Sequence, residues 1–164
     1  MTATRLVPVK NSEVLGKAMA EPGTGTLRVF GDGPQGTDLA ELAHSLGSSI
    51  EWCGTVGRDS LAHAYHDADA LLFPSKGEGL PLVLIEAAAV GCPVIASELP
   101  ANKEVMGDAA LYCDPDDPLV WAEAMRRVAT DPTLARRLRQ AGLRRAELFT
   151  VDRMASGYAA ILKS

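Results

Sequence analysis

The chain has 164 residues, of which 47% are hydrophobic and 23% are charged, and its formal net charge is −5 at pH 7. This length and composition predict a single soluble globular domain over residues 1–164, with a sizeable core. The acidic balance excludes a general attraction to nucleic acid or to an anionic membrane surface. The sequence contains no apolar run of roughly 18 residues, which would indicate a transmembrane segment, and no signal-peptide pattern. We therefore expect a cytoplasmic protein.

The cysteines and histidines predict neither a disulfide nor a metal site. Cys53, Cys92 and Cys113 are odd in number, share no close spacing and lie in apolar runs, so we expect reduced thiols in the core. His63 and His66 are three residues apart on a predicted helix, but the sequence places no third ligand beside them. Neither a P-loop nor a Gly-x-Ser-x-Gly motif is present.

Short apolar segments alternate with helical patterns in the first part of the chain. In order, we predict a β-prone segment before Pro8, a helix capped by Asn11 or Ser12, a strand at 27–30, a helix capped by Thr37 and ended by Gly47, a strand at 50–53 and a helix around 61–68. Gly31-Asp32-Gly33-Pro34 is a strong turn signal after the strand at 27–30.

The alternation continues in the second part. We predict strands at 70–73, 93–96 and 109–112, helices at 81–90 and around 102–106, and then three successive helices at 119–129, 133–148 and 151–162. Together the segments predict an α/β fold, a Rossmann-like, doubly wound parallel sheet of about six strands with helices on both faces. Five arginines between residues 136 and 145 form a basic stretch. A solvated helix face explains them better than an acidic or membrane-surface partner does.

Residues 71–89 form the stretch around which the chain is organised. An apolar strand ends at Pro74-Ser75, a glycine-bearing loop follows, and an alanine-rich helix starts near Pro81, where a missing N–H does no harm. Free N–H groups at such a junction suit an anion. Glu78 and Glu86 bracket the junction, so a phosphate flanked by hydroxyl-rich groups, as in a sugar nucleotide, suits it as a ligand.

Several separated motifs carry a family resemblance. They are Arg5-Leu6-Val7-Pro8-Val9-Lys10, the Gly31–Pro34 turn, the segment 68–75, the Glu-x7-Glu pair Glu78 and Glu86, and the segment 107–115. In this order and spacing the chain resembles the C-terminal, nucleotide-sugar-binding half of retaining GT-B glycosyltransferases of group 1, family 4 type. The resemblance implies that the N-terminal acceptor domain of a complete enzyme is absent. The chain departs from the usual family sequence at Thr4 and Asn11, where glycine is usual, at Ala88, where methionine is common, and at Leu80-Pro81, where Phe-Gly is common.

The resemblance implies a set of site residues. Glu78 would be the catalytic residue that meets the sugar, and we favour positioning over nucleophilic attack. The implied donor-binding residues are Arg5, Lys10, Gly31, Val56, Ser75, Gly79, Leu80, Leu82, Val83 and Glu86. Arg5 and Lys10, with the N–H groups of Leu82 and Val83, would stabilise the leaving diphosphate without a metal or other cofactor. Glu86 would bind the ribose, and its apolar neighbours predict a buried carboxylate.

Three functions remain open at this stage. The first is a domain that binds a UDP- or GDP-linked hexose as donor and transfers nothing in isolation. The second is a non-catalytic interaction module or half-enzyme that pairs with a separate acceptor domain, for which an apolar docking face would be the sign. The third, a sugar-nucleotide epimerase fragment of the same fold, is disfavoured because that group lacks the Glu-Gly-Leu-Pro pattern.

Overall fold

The computed structural model describes residues 1–161. Within them, the strands are β1 (Thr2–Ala3), β2 (Leu27–Phe30), β3 (Ile50–Gly54), β4 (Leu71–Phe73), β5 (Val94–Ser97) and β6 (Ala110–Cys113). The α-helices are α1 (Ser12–Ala18), α2 (Gly36–Leu46), α3 (Arg58–Asp67), α4 (Leu82–Ala89), α5 (Pro100–Met106), α6 (Pro118–Thr130), α7 (Pro132–Ala146) and α8 (Val151–Ile161). Turns of 3₁₀ helix occupy Pro8–Lys10 and Glu147–Phe149. The predicted alternation is confirmed, and Leu162, the predicted end of the last helix, lies outside the described residues.

All six strands are parallel. They form two three-stranded sheets, β1-β2-β3 and β4-β5-β6. Met1 joins the sheets, because its amino group donates to the Ala70 carbonyl and its own carbonyl accepts from the Leu72 N–H, each at 2.8 Å. The spatial order is therefore β3-β2-β1-β4-β5-β6, the doubly wound Rossmann-like order, with its topological switch point between β1 and β4.

Helices cover both faces of this sheet, because successive residues of a strand point to opposite sides. Leu72 points into a core with α1, α2 and α6 that contains the fully buried Leu15 and Trp121. Its neighbour Leu71 points into a second core with α3, α4 and α5, where Leu84 is fully buried. Burial on both faces explains why β4 is apolar throughout and why β5 is apolar up to the buried Ser97. The predicted fold class is confirmed.

Helix α7 contributes to both cores and is hydrogen-bonded to the end of α5. Leu138 belongs to the first core and Ala141 to the second. Near the end of α7, the Arg145 guanidinium donates through Nε to the Val105 carbonyl at 2.6 Å and through a second N–H to the Glu104 carbonyl. These carbonyls belong to the last turn of α5, where helix carbonyls lack partners along the helix. The predicted solvated face is therefore wrong for Arg145, although three of the other four arginines are exposed.

Among the described helices, α6 and α7 have a side-chain N-cap, whereas α1 to α5 have none. Asp117 accepts from two N–H groups of the first turn of α6, and Gly47 ends α2 with a left-handed φ of 67°. The predicted cap at Thr37 is wrong, because α2 begins at Gly36 and Thr37 lies inside it. Asn11 precedes α1, as predicted, but its side chain makes no capping bond to the helix.

Candidate functional site

The loops that follow the two central strands, residues 4–11 after β1 and 74–81 after β4, meet at the switch point. The Lys76 N–H donates to the Val9 carbonyl at 2.8 Å, which joins one loop to the other. In an open parallel α/β sheet, the carboxyl ends of the strands at the switch point form the crevice in which ligands bind. We therefore place the candidate site at these two loops.

Lys10 and Glu78, one from each loop, form an ion pair. Lys10 Nζ donates to Glu78 Oε1 at 2.6 Å and lies 5.4 Å from the centroid of the Phe73 ring. The Glu78 side chain is 9% exposed and that of Lys10 is 23% exposed. Charges that are partly withdrawn from water interact more strongly than charges on an open surface. The pair thus presents a held cation and a carboxylate acceptor side by side at the crevice.

A pocket of about 310 Å³ lies at the ends of β1, β2 and β3. Four of the predicted donor-binding residues line it together: Arg5, Gly31, Val56 and Val83. The structure thus brings Arg5 into one cleft with the start of α4. Lys10 is not among the residues that line this pocket and lies instead against Glu78.

The glycine-rich turn after β2 packs against the segment that carries Arg5. Gly31 has φ 123°, and a Cβ built there would lie 1.9 Å from the Thr4 carbonyl oxygen. A Cβ at Gly33 would lie 2.4 Å from the Leu6 carbonyl oxygen. Only glycine permits so close an approach of two backbones. Glycine at these two positions therefore allows the turn after β2 to pack against the segment at 4–6. Contact of Gly31 with a ligand stays a prediction.

The start of α4 is expected from the sequence to offer two free backbone N–H groups, those of Leu82 and Val83. The Leu82 N–H donates to the Leu80 carbonyl at 2.9 Å, so the prediction that it is free for a phosphate is wrong for this conformation. Pro81 has no N–H to offer. Among the described residues, the Val83 N–H has no acceptor in the protein, and it is therefore the amide that this helix start leaves available.

The loop between β4 and α4 is anchored by Ser75. This residue is fully buried, and its hydroxyl contacts the carbonyls of Val9 and Gly77, each at 3.1 Å. Ser75 therefore shapes the loop from within. Gly79 and Leu80, by contrast, are exposed, and a Cβ at Gly79 would meet no atom of the described residues within 4 Å. Contact of these three residues with a donor stays a prediction.

Glu86 lies on an exposed side of α4, so the predicted buried carboxylate is wrong. Its neighbours Ala87 and Ala88 carry the buried face of this turn instead. Tyr65 of α3 is buried, and its hydroxyl has no hydrogen-bond partner among the described residues. Burial raises the pKa of Tyr65, and the negative charge of Glu86 adds to the rise. Exposure leaves the Glu86 carboxylate accessible to a ligand.

Sequence reasoning missed the role of Asn11 at the site, since the sequence marks this residue only as a possible helix cap and as a departure from the family. Its side-chain amide donates to the carbonyls of Pro74 and Pro115, in the loops after β4 and β6. The sequence signal for this role is an asparagine directly after the turn that begins at Pro8, because asparagine tolerates the left-handed conformation that can end such a turn.

The cysteines and the possible metal ligands are the other candidate groups in the described residues. Cys92 and Cys113 are buried and Cys53 is half-buried, and all three thiols are free. Burial raises the pKa of Cys92 to about 11 and that of Cys113 to about 12. Across the part of the chain that the structure describes, no three His, Cys, Asp or Glu side chains cluster so as to hold a metal ion. No helix in the same residues has both the length and the apolar character needed to cross a membrane.

The strand order and the cationic side chains at the switch point define a class, the Rossmann-like α/β domains that bind ligands at this crevice. The family model described as glycosyl transferases group 1 matches residues 1–131. The chain belongs to this family, and the predicted resemblance is confirmed at the level of family and GT-B-type fold.

Individual relatives agree with this assignment. The chain is 32% identical over 174 residues to the D-inositol 3-phosphate glycosyltransferase of Streptomyces avermitilis, covering 96% of this chain and 38% of that protein. It is 34% identical over 128 residues to the glycogen synthase of Mycobacterium tuberculosis, covering 76% of this chain and 31% of that protein. The crystal structure of Anabaena HepE in complex with UDP matches 99% of this chain and 47% of its own, with a TM-score of 0.89 and 21% identity, which shows the fold. The chain spans less than half the length of each of these proteins.

Proposed function

We propose that the chain is the donor-binding domain of a retaining, metal-independent glycosyltransferase, which moves a hexose from a UDP- or GDP-linked sugar to an acceptor. The observation that carries the proposal is the Lys10–Glu78 ion pair at the switch point, with a side-chain separation of 2.6 Å. It puts a fixed cation and an acid where a Rossmann-like sheet binds its ligand. Membership of the group 1 family and the UDP in the HepE structure support it.

The cations act on the phosphates. Glycosyl transfer breaks the bond between the anomeric carbon and the diphosphate, and negative charge builds on the leaving group. Fixed positive groups aimed at that charge lower the barrier without reorganising during the reaction. Arg5 would contact the diphosphate from the pocket wall, Lys10 from the loop after β1, and the Val83 N–H from the start of α4. We assign the charge stabilisation to these groups rather than to a metal.

The carboxylates act on hydroxyl groups. Glu78 would accept hydrogen bonds from the sugar and stabilise the oxocarbenium-like transition state, while remaining positioned by Lys10. Glu86, exposed on α4, would accept from the ribose. The base would occupy the pocket wall near Val56, where backbone groups after β3 can bind it. Each of these contacts uses a carboxylate or carbonyl acceptor against a hydroxyl or N–H donor.

We further propose that acceptor binding belongs to a separate domain, since the relatives are more than twice as long as the segment they share with this chain. The chain alone would therefore bind donor and transfer nothing. We also propose that residues 1–164 form a single domain.

Calorimetric titration of the chain with UDP, GDP, UDP-glucose and GDP-mannose tests the proposal. We expect at least one nucleotide to bind, with an affinity that EDTA leaves unchanged and that falls with added salt. Lys10→Ala should weaken nucleotide binding about tenfold or more, because it removes a charge-assisted contact. Lys17→Ala is the matched control, because Lys17 is 49% exposed and pairs with Glu13 on α1. No binding of either UDP or GDP at millimolar concentration would refute the proposal.

A second function, an interaction module that pairs with a separate acceptor domain, is favoured by exposed apolar side chains in the two loops after β1 and β4 and at the start of α4. Leu80 is 59% exposed, Leu82 58% and Val9 45%. Exposed apolar side chains suit contact with a protein surface better than contact with water. Sedimentation of the chain with and without Leu80→Ser tests this function. If nucleotides do not bind and the chain self-associates through Leu80, the module is the better description.

A further inference from the structure

Asn11 has an unusual backbone conformation. Its φ is 52° and its ψ is 35°, and among the described residues no other non-glycine residue has a positive φ. It ends the 3₁₀ turn Pro8–Lys10, with its N–H donating to the Pro8 carbonyl at 3.1 Å, and it precedes α1. Side chains are strained in this region, and asparagine tolerates it better than most. The conformation directs the side chain away from α1, to which it makes no capping bond.

The Asn11 carboxamide joins three loops at the carboxyl edge of the sheet. Its Nδ2 donates to the Pro115 carbonyl at 2.7 Å and to the Pro74 carbonyl at 3.2 Å. Both hydrogens of one amide group are therefore used, each on a different loop. An ion pair between Lys76 and Asp116 connects the same two loops.

These bonds hold the backbone on both sides of Lys10. On one side, the Val9 carbonyl accepts from the Lys76 N–H and from the Ser75 hydroxyl. On the other side, Asn11 is held by its two carbonyl partners. Lys10 between them reaches Glu78, which belongs to the same loop as Pro74. The loop that supplies the cation is thereby fixed to the loop that supplies the acid.

We propose that Asn11 is a positioning residue, whose carboxamide holds the Lys10 ammonium in place against the donor diphosphate. This inference rests on the proposed function and deepens it. A charge fixed before the ligand arrives needs no ordering when the ligand binds, so it contributes more of its interaction to affinity. A glycine at this position would keep the left-handed backbone but lose both bonds.

Three substitutions test the proposal on the whole chain. Asn11→Gly keeps the backbone conformation and removes both hydrogen bonds. Asn11→Ala removes the same bonds and adds backbone strain, so a comparison of the two separates binding from stability. Asn11→Asp keeps the shape but cannot donate to the carbonyls. Circular dichroism and urea unfolding confirm that each variant is folded before titration.

Calorimetry with UDP and with uridine, and with GDP and guanosine, gives the decisive readout. We expect the Gly and Ala variants to bind the diphosphate up to about tenfold more weakly, the size expected when one long side chain must be ordered as the ligand binds. The nucleoside lacks the diphosphate, so its affinity should stay within about twofold. In a Lys10→Ala background, Asn11→Gly should have little further effect, because a residue that acts through Lys10 is not additive with it.

Each other outcome is decisive as well. If the wild-type chain binds neither nucleotide, the proposed function fails, and the role of Asn11 fails with it. If the wild type binds and Asn11→Gly binds equally well, the proposed function stands and the positioning role is overturned. Equal losses for nucleoside and nucleotide, or losses that multiply with those of Lys10→Ala, would show a general structural effect and also overturn it.

Discussion

Replacing Gly31 by alanine tests how tightly the segment that carries Arg5 is held against β2. The new Cβ would lie 1.9 Å from the Thr4 carbonyl oxygen and 2.9 Å from its carbonyl carbon. These are backbone atoms, and they cannot rotate away. The Thr4 N–H also donates to the Phe30 carbonyl at 2.9 Å, so relief of the clash breaks a strand-end hydrogen bond.

The expected loss follows from two effects. Overpacking costs about 1–3 kcal/mol, and a side chain at a strained positive φ adds about 1–3 kcal/mol. We therefore expect the free energy of unfolding to fall by about 2–6 kcal/mol, a large part of the roughly 5–15 kcal/mol that stabilises a typical domain.

Two glycines between β3 and α3, Gly54 at the end of the strand and Gly57 before the helix, provide graded controls. Gly54 has φ 64°, but a Cβ there would meet nothing within 4 Å among the described residues, so Gly54→Ala should cost only the backbone strain of about 1–2 kcal/mol. Gly57 has φ −70° and equally open surroundings. Gly57 is the N-cap of α3, where glycine is preferred to alanine, so Gly57→Ala should cost less than about 1 kcal/mol. Urea unfolding measures all three, with the midpoints compared at constant m value.

The order Gly31, Gly54, Gly57 in decreasing loss is the result that supports this reasoning. Coincident midpoints for the Gly31 and Gly57 variants would refute it, because the close contact with Thr4 would then carry no energy. A folded Gly31→Ala chain should also bind nucleotide more weakly, since the displaced segment carries Arg5.

Three further predictions concern the ion pair, the thiols and a helix cap. Glu78→Gln leaves Lys10 with an uncharged partner and should lower the free energy of unfolding by about 1–3 kcal/mol. Glu13→Gln, in an exposed pair, should change it by less than about 0.5 kcal/mol. Equal urea midpoints for the two variants would contradict the prediction that the more buried pair is the more stabilising. In Ellman titration at pH 8, Cys53 should react rapidly. The other two cysteines, whose pKa burial raises to about 11 and about 12, should react only in denaturant, because the thiolate is the reactive form. Three fast thiols would contradict this prediction. Asp117→Ala should cost about 1 kcal/mol, measured by urea unfolding, because α6 loses its N-terminal cap.

Strand and helix positions were predictable because their signals are local. Apolar runs bounded by turn residues marked the strands, and Gly47 marked the end of α2. The exposure of Glu86 was not predictable, because α4 is apolar on nearly every side and its sequence has no polar stripe to set the helix phase. Only the packing of Ala87 and Ala88 into the second core determines which side faces water.

The sequence by itself determined the family, the alternation of strands and helices, and the residue types that a diphosphate and a sugar require. These depend on near neighbours in the chain and on motif spacing. Only the tertiary structure decided which of those residues meet. Lys10 and Glu78 are 68 residues apart, and the partners of Asn11 are 63 and 104 residues away. Such contacts arise from the strand order, which brings the loops after β1, β4 and β6 to one edge of the sheet, and strand order is a property of the whole packed domain.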